Sequence, residues 1–238
     1  MRVLYKVRKA REPRAQHLGG ADSAPTEGEK KMEIELKYFF EDEAAKVAIF
    51  EDEDIKKFID EGSEQTIPMR AIYLDTADGK LKQLGMAFRA RFEGGKCVAT
   101  LKWNGSAEEG LHVRNELNVS VENDFAENPT IDVFKGSEVY EEIESAIGAE
   151  KLVHVMEMDF TRREVRVDTG ESISVLSVDE GEIKTAKGNA PILELEIELY
   201  TGDQEDMVAL GRKLEEKYHL KQGNKSKYQR GLEILGLI

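Results

Sequence analysis

The sequence predicts an α+β fold: a closed or nearly closed antiparallel β-barrel of about eight strands with two or three helices outside it. Three observations lead there. From Met32 onward, apolar and polar residues alternate with period two in one segment after another, as half-buried strands require. Short turn signals separate the segments, among them Ala77-Asp78-Gly79, Gly94-Gly95 and Asn104-Gly105, and such turns suit antiparallel neighbours. Helical spacing appears in only a few stretches. Closing the sheet on itself is the economical way to remove its edges.

The elements follow in order. Glu33, Glu35 and Lys37 alternate with Ile34 and Leu36 and lead into Tyr38-Phe39-Phe40, a first strand. Residues 43–61 carry Ala44, Val47, Ala48, Ile55, Phe58 and Ile59 among acids and lysines, a helical pattern broken near Glu51. Segments 70–74, 87–92, 97–103, 111–121 and 159–167 read as strands, and 137–148 as a helix. Segments 173–178 and 183–185 read as strand pieces flanking a hairpin-like turn region, Asp179-Glu180-Gly181. Residues 192–200 form a long alternating strand. Residues 203–219 place Met207, Leu210, Leu214 and Tyr218 on one helical face, with Gly202-Asp203 as the cap.

The 238 residues suffice for one sizeable core. No apolar run approaches the roughly 18–20 residues of a membrane helix. One cysteine, Cys97, excludes an internal disulfide framework and fits a reducing, cytoplasmic address. The net charge of −14 argues against nonspecific nucleic-acid binding. Residues 1–31 differ from the rest, with eight Lys/Arg against four Asp/Glu, two prolines and no sustained periodicity. They read as a disordered extension ahead of a domain spanning 32–235.

The charged strand faces carry the functional signal. Glu33, Glu35 and Lys37 share one face, spaced about 6.5–7 Å apart. Glu194, Glu196 and Glu198 make another face wholly of carboxylates, and Arg89 and Arg91 put two guanidiniums on a third. Lys102, Arg114 and Glu116 continue the pattern. A single wet strand face would explain any one of these rows. Five together, with acids and bases segregated by strand, fit better if the charged faces point inward. Carboxylates would then share divalent cations, and guanidiniums would grip a polyanion.

These residues resemble those of the CYTH, or triphosphate tunnel metalloenzyme, superfamily. Glu33-Ile34-Glu35-Leu36-Lys37 matches its ExExK signature. The likeness continues in order through Tyr73-Leu74-Asp75-Thr76, Arg89-x-Arg91, Thr100-Leu101-Lys102, Arg114-x-Glu116, Arg162, Asp179, Glu194-x-Glu196 and Ser226-Lys227. Within the superfamily the sequence is most similar to bacterial inorganic triphosphatases, without the histidine-rich helical CHAD domain that many of them add. The resemblance implies an eight-stranded antiparallel tunnel that hydrolyses tripolyphosphate to pyrophosphate and phosphate with Mg²⁺ or Mn²⁺, two ions being expected. It implies Glu33, Glu35, Glu116, Asp179, Glu194 and Glu196 as metal ligands. It implies Lys37, Arg89, Arg91, Lys102, Arg114, Arg162 and Lys227 as phosphate contacts, with Glu35, Lys37, Glu116 and Glu196 closest to the chemistry. Glu198 extends the acidic row, only one of Arg162 and Arg163 should face inward, and Lys184 is a further basic candidate. The expected partner is a small triphosphate, not nucleic acid or a membrane, bound by a monomer or homodimer.

Other readings stand beside this one. The same scaffold serves class IV adenylate cyclases and thiamine triphosphatases, and a non-catalytic polyphosphate- or nucleotide-binding module would use the same grip. The intact acidic rows favour the metalloenzyme. No Ser/His/Asp or Cys/His nucleophile is indicated. Cys97, His112, His154 and Trp103 read as packing or surface residues, and Asp75-Thr76 as a turn stabiliser.

Overall fold

A computed structural model describes residues 28–238, so the first 27 residues of the expected extension lie outside the described residues. Eight strands close into an antiparallel barrel in the order β1-β5-β4-β3-β2-β6-β7-β8 and back to β1. They are β1 (Glu29–Phe39), β2 (Gln65–Thr76), β3 (Ala87–Glu93), β4 (Lys96–Glu108), β5 (Leu111–Val121), β6 (Leu152–Asp168), β7 (Ser172–Thr185) and β8 (Gly188–Gly202). A two-residue strand, β9 (Lys221–Gln222), adds to β1 beside Tyr38 and Phe39.

β1 closes the barrel. Residues 29–36 pair with β5, and residues 35–39 pair with β8. Its pleat sends Leu36 and Tyr38 outward and Glu33, Glu35 and Lys37 inward, and the other strands follow the same rule. Two apolar layers therefore lie on the outside. One, over β2 to β5, is covered by α3 (Lys80–Gln83), two short 3-10 turns and α4 (Tyr140–Ile147); Leu81, Phe134, Ile143 and Ile147 pack there on Phe88, Ala99 and Leu101. The other, over β1 and β6 to β8, is covered by α1 (Glu43–Glu51), α2 (Glu53–Lys56) and α5 (Gln204–Tyr218); Ile49, Ile55, Met207 and Leu214 pack on Leu36, Leu176 and Ile197. Asp52 makes the break between α1 and α2. It ends the first helix and its carboxylate accepts from Asp54 N–H at 2.7 Å to begin the second.

A third apolar cluster lies inside the barrel. Met69, Ala71 and Tyr73 of β2, Met156, Met158 and Phe160 of β6, Ile183 and Ile192 surround Leu232 and Leu235 of the last helix, α6 (Lys227–Leu235). Gly231 allows that seat, because a Cβ there would lie 2.2 Å from Met156 Sδ. Tyr228 stacks on Tyr73 with ring centroids 4.9 Å apart. The sequence pattern leaves α6 unassigned. Its signal is the capping box, in which Ser226 Oγ accepts from Gln229 N–H while the Gln229 side chain accepts from Ser226 N–H.

Two turn expectations are overturned. Asp179-Glu180-Gly181 is no hairpin; it lies in the middle of β7, with Asp179 opposite Arg162 and Gly181 opposite Phe160. Gly181 is there for close approach, since a Cβ would fall 2.2 Å from the Asp159 carbonyl. The β7–β8 turn comes instead at residues 186 and 187, with Thr185 opposite Gly188. Asn104-Gly105 likewise marks an irregularity within β4, where the register with β5 shifts, and the turn falls at Glu109-Gly110, both at positive φ. Gly94-Gly95 does form the β3–β4 turn as expected. No helix among the described residues is long and apolar enough to cross a membrane.

Gly181→Ala forces a methyl into the Asp159 and Phe160 backbone, so it should cost about 2–4 kcal/mol of unfolding free energy. Denaturant titration of the two proteins checks this; equal midpoints would show that the strands part freely at this point.

Candidate active site

The lumen is a cavity of about 970 Å³ whose wall includes Glu33, Glu35 and Lys37 of β1, Arg89 and Arg91 of β3, Lys102 of β4, Arg114 and Glu116 of β5, Arg162 of β6, Glu196 and Glu198 of β8 and Lys227 of α6. Asp179 and Glu194 stand behind this wall, with no solvent exposure. All residues expected to carry the chemistry are thus gathered on one interior surface, from seven strands and one helix.

Register does much of the gathering. Glu33 lies opposite Arg114, Lys37 opposite Glu196, Lys102 opposite Glu116, and Asp179 opposite Arg162. Directly opposed Cβ atoms are about 4.5–5.5 Å apart, so opposite charges in these pairs meet without strain. On the β7–β8 side, Arg162 donates to both oxygens of Asp179 at 2.7 Å and to Glu196 at 2.6 Å. Lys227, the first residue of α6, puts its Nζ 2.7 Å from Asp179, 2.8 Å from Glu194 and 2.8 Å from Glu196. Lys37 pairs with Glu196 and lies 3.6 Å from Glu35 and 3.7 Å from Glu194. On the β1–β5 side, Lys102 bridges Glu33 and Glu116 at 2.7 Å each, while Arg114 pairs with Glu33 and donates to Glu35 at 2.9 Å. Asn118 donates to Glu116 at 2.6 Å and accepts from Thr100 at 2.8 Å.

The titration behaviour follows from this pairing. Burial alone would push each acid up, but adjacent cations more than reverse it. Lys102 and Arg114 hold Glu33 down to about 2. Lys102 and Arg89 lower Glu116, Arg162 and Lys227 lower Asp179, and Lys227, Lys37 and Arg162 lower Glu196. Glu198 is the exception. Burial raises it against the pull of Lys31, its ion-pair partner at 2.7 Å.

Arg89 and Arg91 are arranged differently. Among the described residues no carboxylate lies within 4.0 Å of Arg89, and the buried Nε of each guanidinium has no hydrogen-bond partner. Arg91 has only half-buried Glu93 beside it at 3.0 Å, out of line for a hydrogen bond. Burial and neighbouring Arg89 both lower the Arg91 pKa. Two cations side by side, facing the lumen and each with an unsatisfied Nε, form a receptor for an anion with several oxygens.

Some candidates fall elsewhere. Arg163 has the opposite parity from Arg162 and turns outward, with its guanidinium 4.0 Å from the Phe50 ring centroid and 2.7 Å from Glu64. Lys184 does not join the site; it pairs with Asp159 at 2.7 Å away from the lumen. Cys97 is buried in the outer core, where burial raises its thiol pKa. His154 Nε2 donates to the Ala126 carbonyl at 2.8 Å, outside the lumen. Asp75 is a backbone anchor, accepting from Thr76, Leu81 and Lys82 N–H at 2.7, 2.8 and 3.0 Å. Pattern reading missed Lys31, whose inward parity with Glu33 was the available signal, and Arg230, which follows Lys227 by three positions on α6 and lies 3.6 Å from Glu194.

The donor set fits a hard divalent cation: it consists of carboxylate oxygens, and neither oxygen of buried Glu194 accepts a hydrogen bond, although Lys227 Nζ is close. Among the described residues no three of Asp, Glu, His and Cys converge on one point, because each acid is turned toward a basic side chain.

A family model, that of the CYTH domain, matches residues 31–232. The chain is 31% identical over 135 residues to an inorganic triphosphatase of Haemophilus influenzae; the match covers 57% of this chain and 37% of that protein, so the chain spans well under two thirds of that relative. Among solved structures it resembles an adenylyl cyclase candidate from Hippeastrum with a dominant triphosphatase activity, at TM-score 0.62 and 21% identity over 82% of this chain and 93% of that one. It also resembles a candidate adenylate cyclase from Bacillus halodurans, at TM-score 0.56 and 20% identity over 84% of this chain and 97% of that one. These likenesses at low identity concern the fold.

Depressed carboxyl pKa values stabilise the fold above the unfolded value of 4.5 for Glu33 and lose that contribution as pH falls toward about 2. In metal-free buffer the melting temperature should be nearly level from about pH 8 to 5 and drop steeply below about 4.5. An equal melting temperature at pH 3 and pH 6 would contradict the pairing described.

Proposed function

The chain belongs to the CYTH domain family, and from that premise we propose that it is a divalent-metal-dependent hydrolase of inorganic triphosphate, releasing pyrophosphate and phosphate. The observation that carries this reading is the pair Arg89 and Arg91, each with a buried Nε that has no hydrogen-bond partner, in a lumen where Lys37, Lys102, Arg114, Arg162 and Lys227 are held by carboxylates. A linear triphosphate supplies clustered oxygens for these two guanidiniums. Its further charges compete for Lys37, Lys102, Arg114, Arg162 and Lys227, which exchange carboxylate for phosphate.

Glu33, Glu35 and Glu116 on one side, and Glu194 and Glu196 with Asp179 on the other, are the residues that would hold Mg²⁺ or Mn²⁺. Bound there, the metal would withdraw charge from the phosphate oxygens. The remaining contributions belong to the chain. Arg89 and Arg91 anchor the polyanion, and the lysines and arginines of the other strands align it and neutralise the departing pyrophosphate. Phosphoryl transfer needs such positioning and neutralisation more than covalent help. The buried walls exclude bulk water from these contacts, which strengthens each of them. A linear triphosphate meets these groups without a nucleobase.

Purified protein incubated with tripolyphosphate, ATP or thiamine triphosphate, each with and without Mg²⁺, should release phosphate fastest from tripolyphosphate and only with metal. Cyclic AMP formed from ATP would replace the proposal with a cyclase, and absence of turnover on all three would replace it with a binding module. Arg89→Ala should raise KM for tripolyphosphate by about 10–100-fold, the worth of one or two charge-assisted hydrogen bonds. Glu196→Gln should lower kcat by on the order of 10–100-fold while its far-ultraviolet dichroism stays that of the parent. Wild-type constants in either variant would remove that residue from the proposed machinery.

A further inference from the structure

His112 is buried on β5, two residues before Arg114 and opposite Glu35 on β1, and it edges the lumen. Its Nε2 lies 2.7 Å from the Gly223 carbonyl, so that nitrogen carries the proton and donates. Burial lowers its pKa, which favours the neutral ring. Gly223 in turn donates its N–H to the Lys37 carbonyl at 2.9 Å, and Lys37 donates its own N–H to the Gly110 carbonyl at 2.8 Å. Gly110 closes the circuit by donating to Asn224 Oδ1 at 2.8 Å. Both backbone groups of Lys37 are thus fixed by segments that neither β5 nor β8 pairing supplies at that residue's N–H and carbonyl.

The spacing leaves little slack. A Cβ at Gly110 would sit 2.9 Å from the Lys37 carbonyl, and that residue is at φ +80°. A Cβ at Gly223 would meet Lys37 Cγ at 3.0 Å. Three residues beyond Gly223, Ser226 caps α6 and delivers Lys227 to Asp179, Glu194 and Glu196. The same turn therefore sets two of the lumen's cations, Lys37 from its backbone and Lys227 from the start of its helix.

We propose that His112 is a positioning residue: by donating to the Gly223 carbonyl it locks the turn that fixes Lys37 and sets where α6 begins, and with it Lys227. Nothing in this role calls on the ring as an acid or base. Without the donor, a buried carbonyl is left unpaired and the turn between β9 and α6 loosens, displacing both cations. The proposal rests on the reading of the lumen as a triphosphate site only for its effect on rate; the effect on the turn is independent of it.

The test compares His112→Leu with His112→Gln, whose carboxamide N–H can replace the ring donor. With tripolyphosphate and Mg²⁺, His112→Leu should lower kcat by about 10–100-fold, the usual cost of a displacement near 1 Å, and change KM less than about threefold. Hydrogen exchange should quicken at the Lys37 and Gly223 amides in the same variant. His112→Gln should restore both rate and protection to within about threefold of the parent. Unchanged rate and exchange in His112→Leu would overturn the proposal. So would a His112→Gln variant that keeps its protection but is as slow as His112→Leu, because the ring itself would then be needed. Should His112→Leu fail to fold, the glutamine variant decides alone by the same two readouts. Should the parent fail to hydrolyse tripolyphosphate, the functional reading falls while the exchange comparison still decides the role of His112.

Discussion

An ionised group taken out of water costs several kcal/mol unless an opposite charge meets it in good geometry. The inner wall of the barrel obeys that constraint at most of its charges, Arg89 being the exception. The barrel turns its charged rows inward over most of the wall, while apolar side chains fill the interior only around α6. Neutrality inside then dictates where the strands must register, since Glu33, Lys37, Lys102 and Asp179 each need an opposite charge on the next strand. It also dictates α6. Asp179, Glu194 and Glu196 exceed what Lys37 and Arg162 can satisfy, and Lys227 enters from the helix to complete them. The apolar exterior has its own demand, met by two groups of helices on opposite sides.

Internal neutrality also makes the two unmatched guanidiniums of β3 meaningful. Lys37, Lys102, Arg114, Arg162 and Lys227 each have an acidic neighbour, so their charges already serve the fold. Arg89 has no carboxylate within 4.0 Å among the described residues and a buried Nε without a partner, which suits the anion of the proposed reading. On the proposed reading, an anion that enters to meet it loosens carboxylates elsewhere in the lumen, and a divalent cation restores the balance. Affinity for the two ligands is then linked through the lumen's charge, with no need for a moving lid.

The inward rows were legible because a strand has a period of two and because carboxylates repeated at that period have no good structural use on a solvent face. β5 is read from Leu111 to Val121 in both sequence and structure, since turn residues bound it at each end. Glycine was the weak point. Gly181 and Gly105 lie within strands, where they permit close approach or irregularity, while sequence alone gives them the look of turns. α6 escaped because its nine residues hold few aliphatic positions and its apolar face meets the lumen rather than an outer sheet surface. The expectation for His112 as a packing residue missed its hydrogen bond to Gly223, a contact between residues 111 positions apart that no local pattern encodes. Which acids would face a metal is equally nonlocal, for in the structure all are engaged by cations from other strands.

The double pairing of β1 bears on how the chain reaches this state. β1 is the first strand among the described residues, yet its partners are β5, β8 and β9, and Glu35 meets Glu198 only after all the intervening strands exist. The hairpins from β2 to β5 and from β6 to β8 bring sequence neighbours together and have small loop-closure costs. β1 has no such local partner. Until it pairs, Glu33, Glu35 and Lys37 remain hydrated and incur no burial cost. Hairpin pairs such as Lys102–Glu116 and Arg162–Asp179 need no β1, but Glu33, Glu35 and Lys37 reach their partners only with it. Closure of the barrel is therefore what completes the charge cluster.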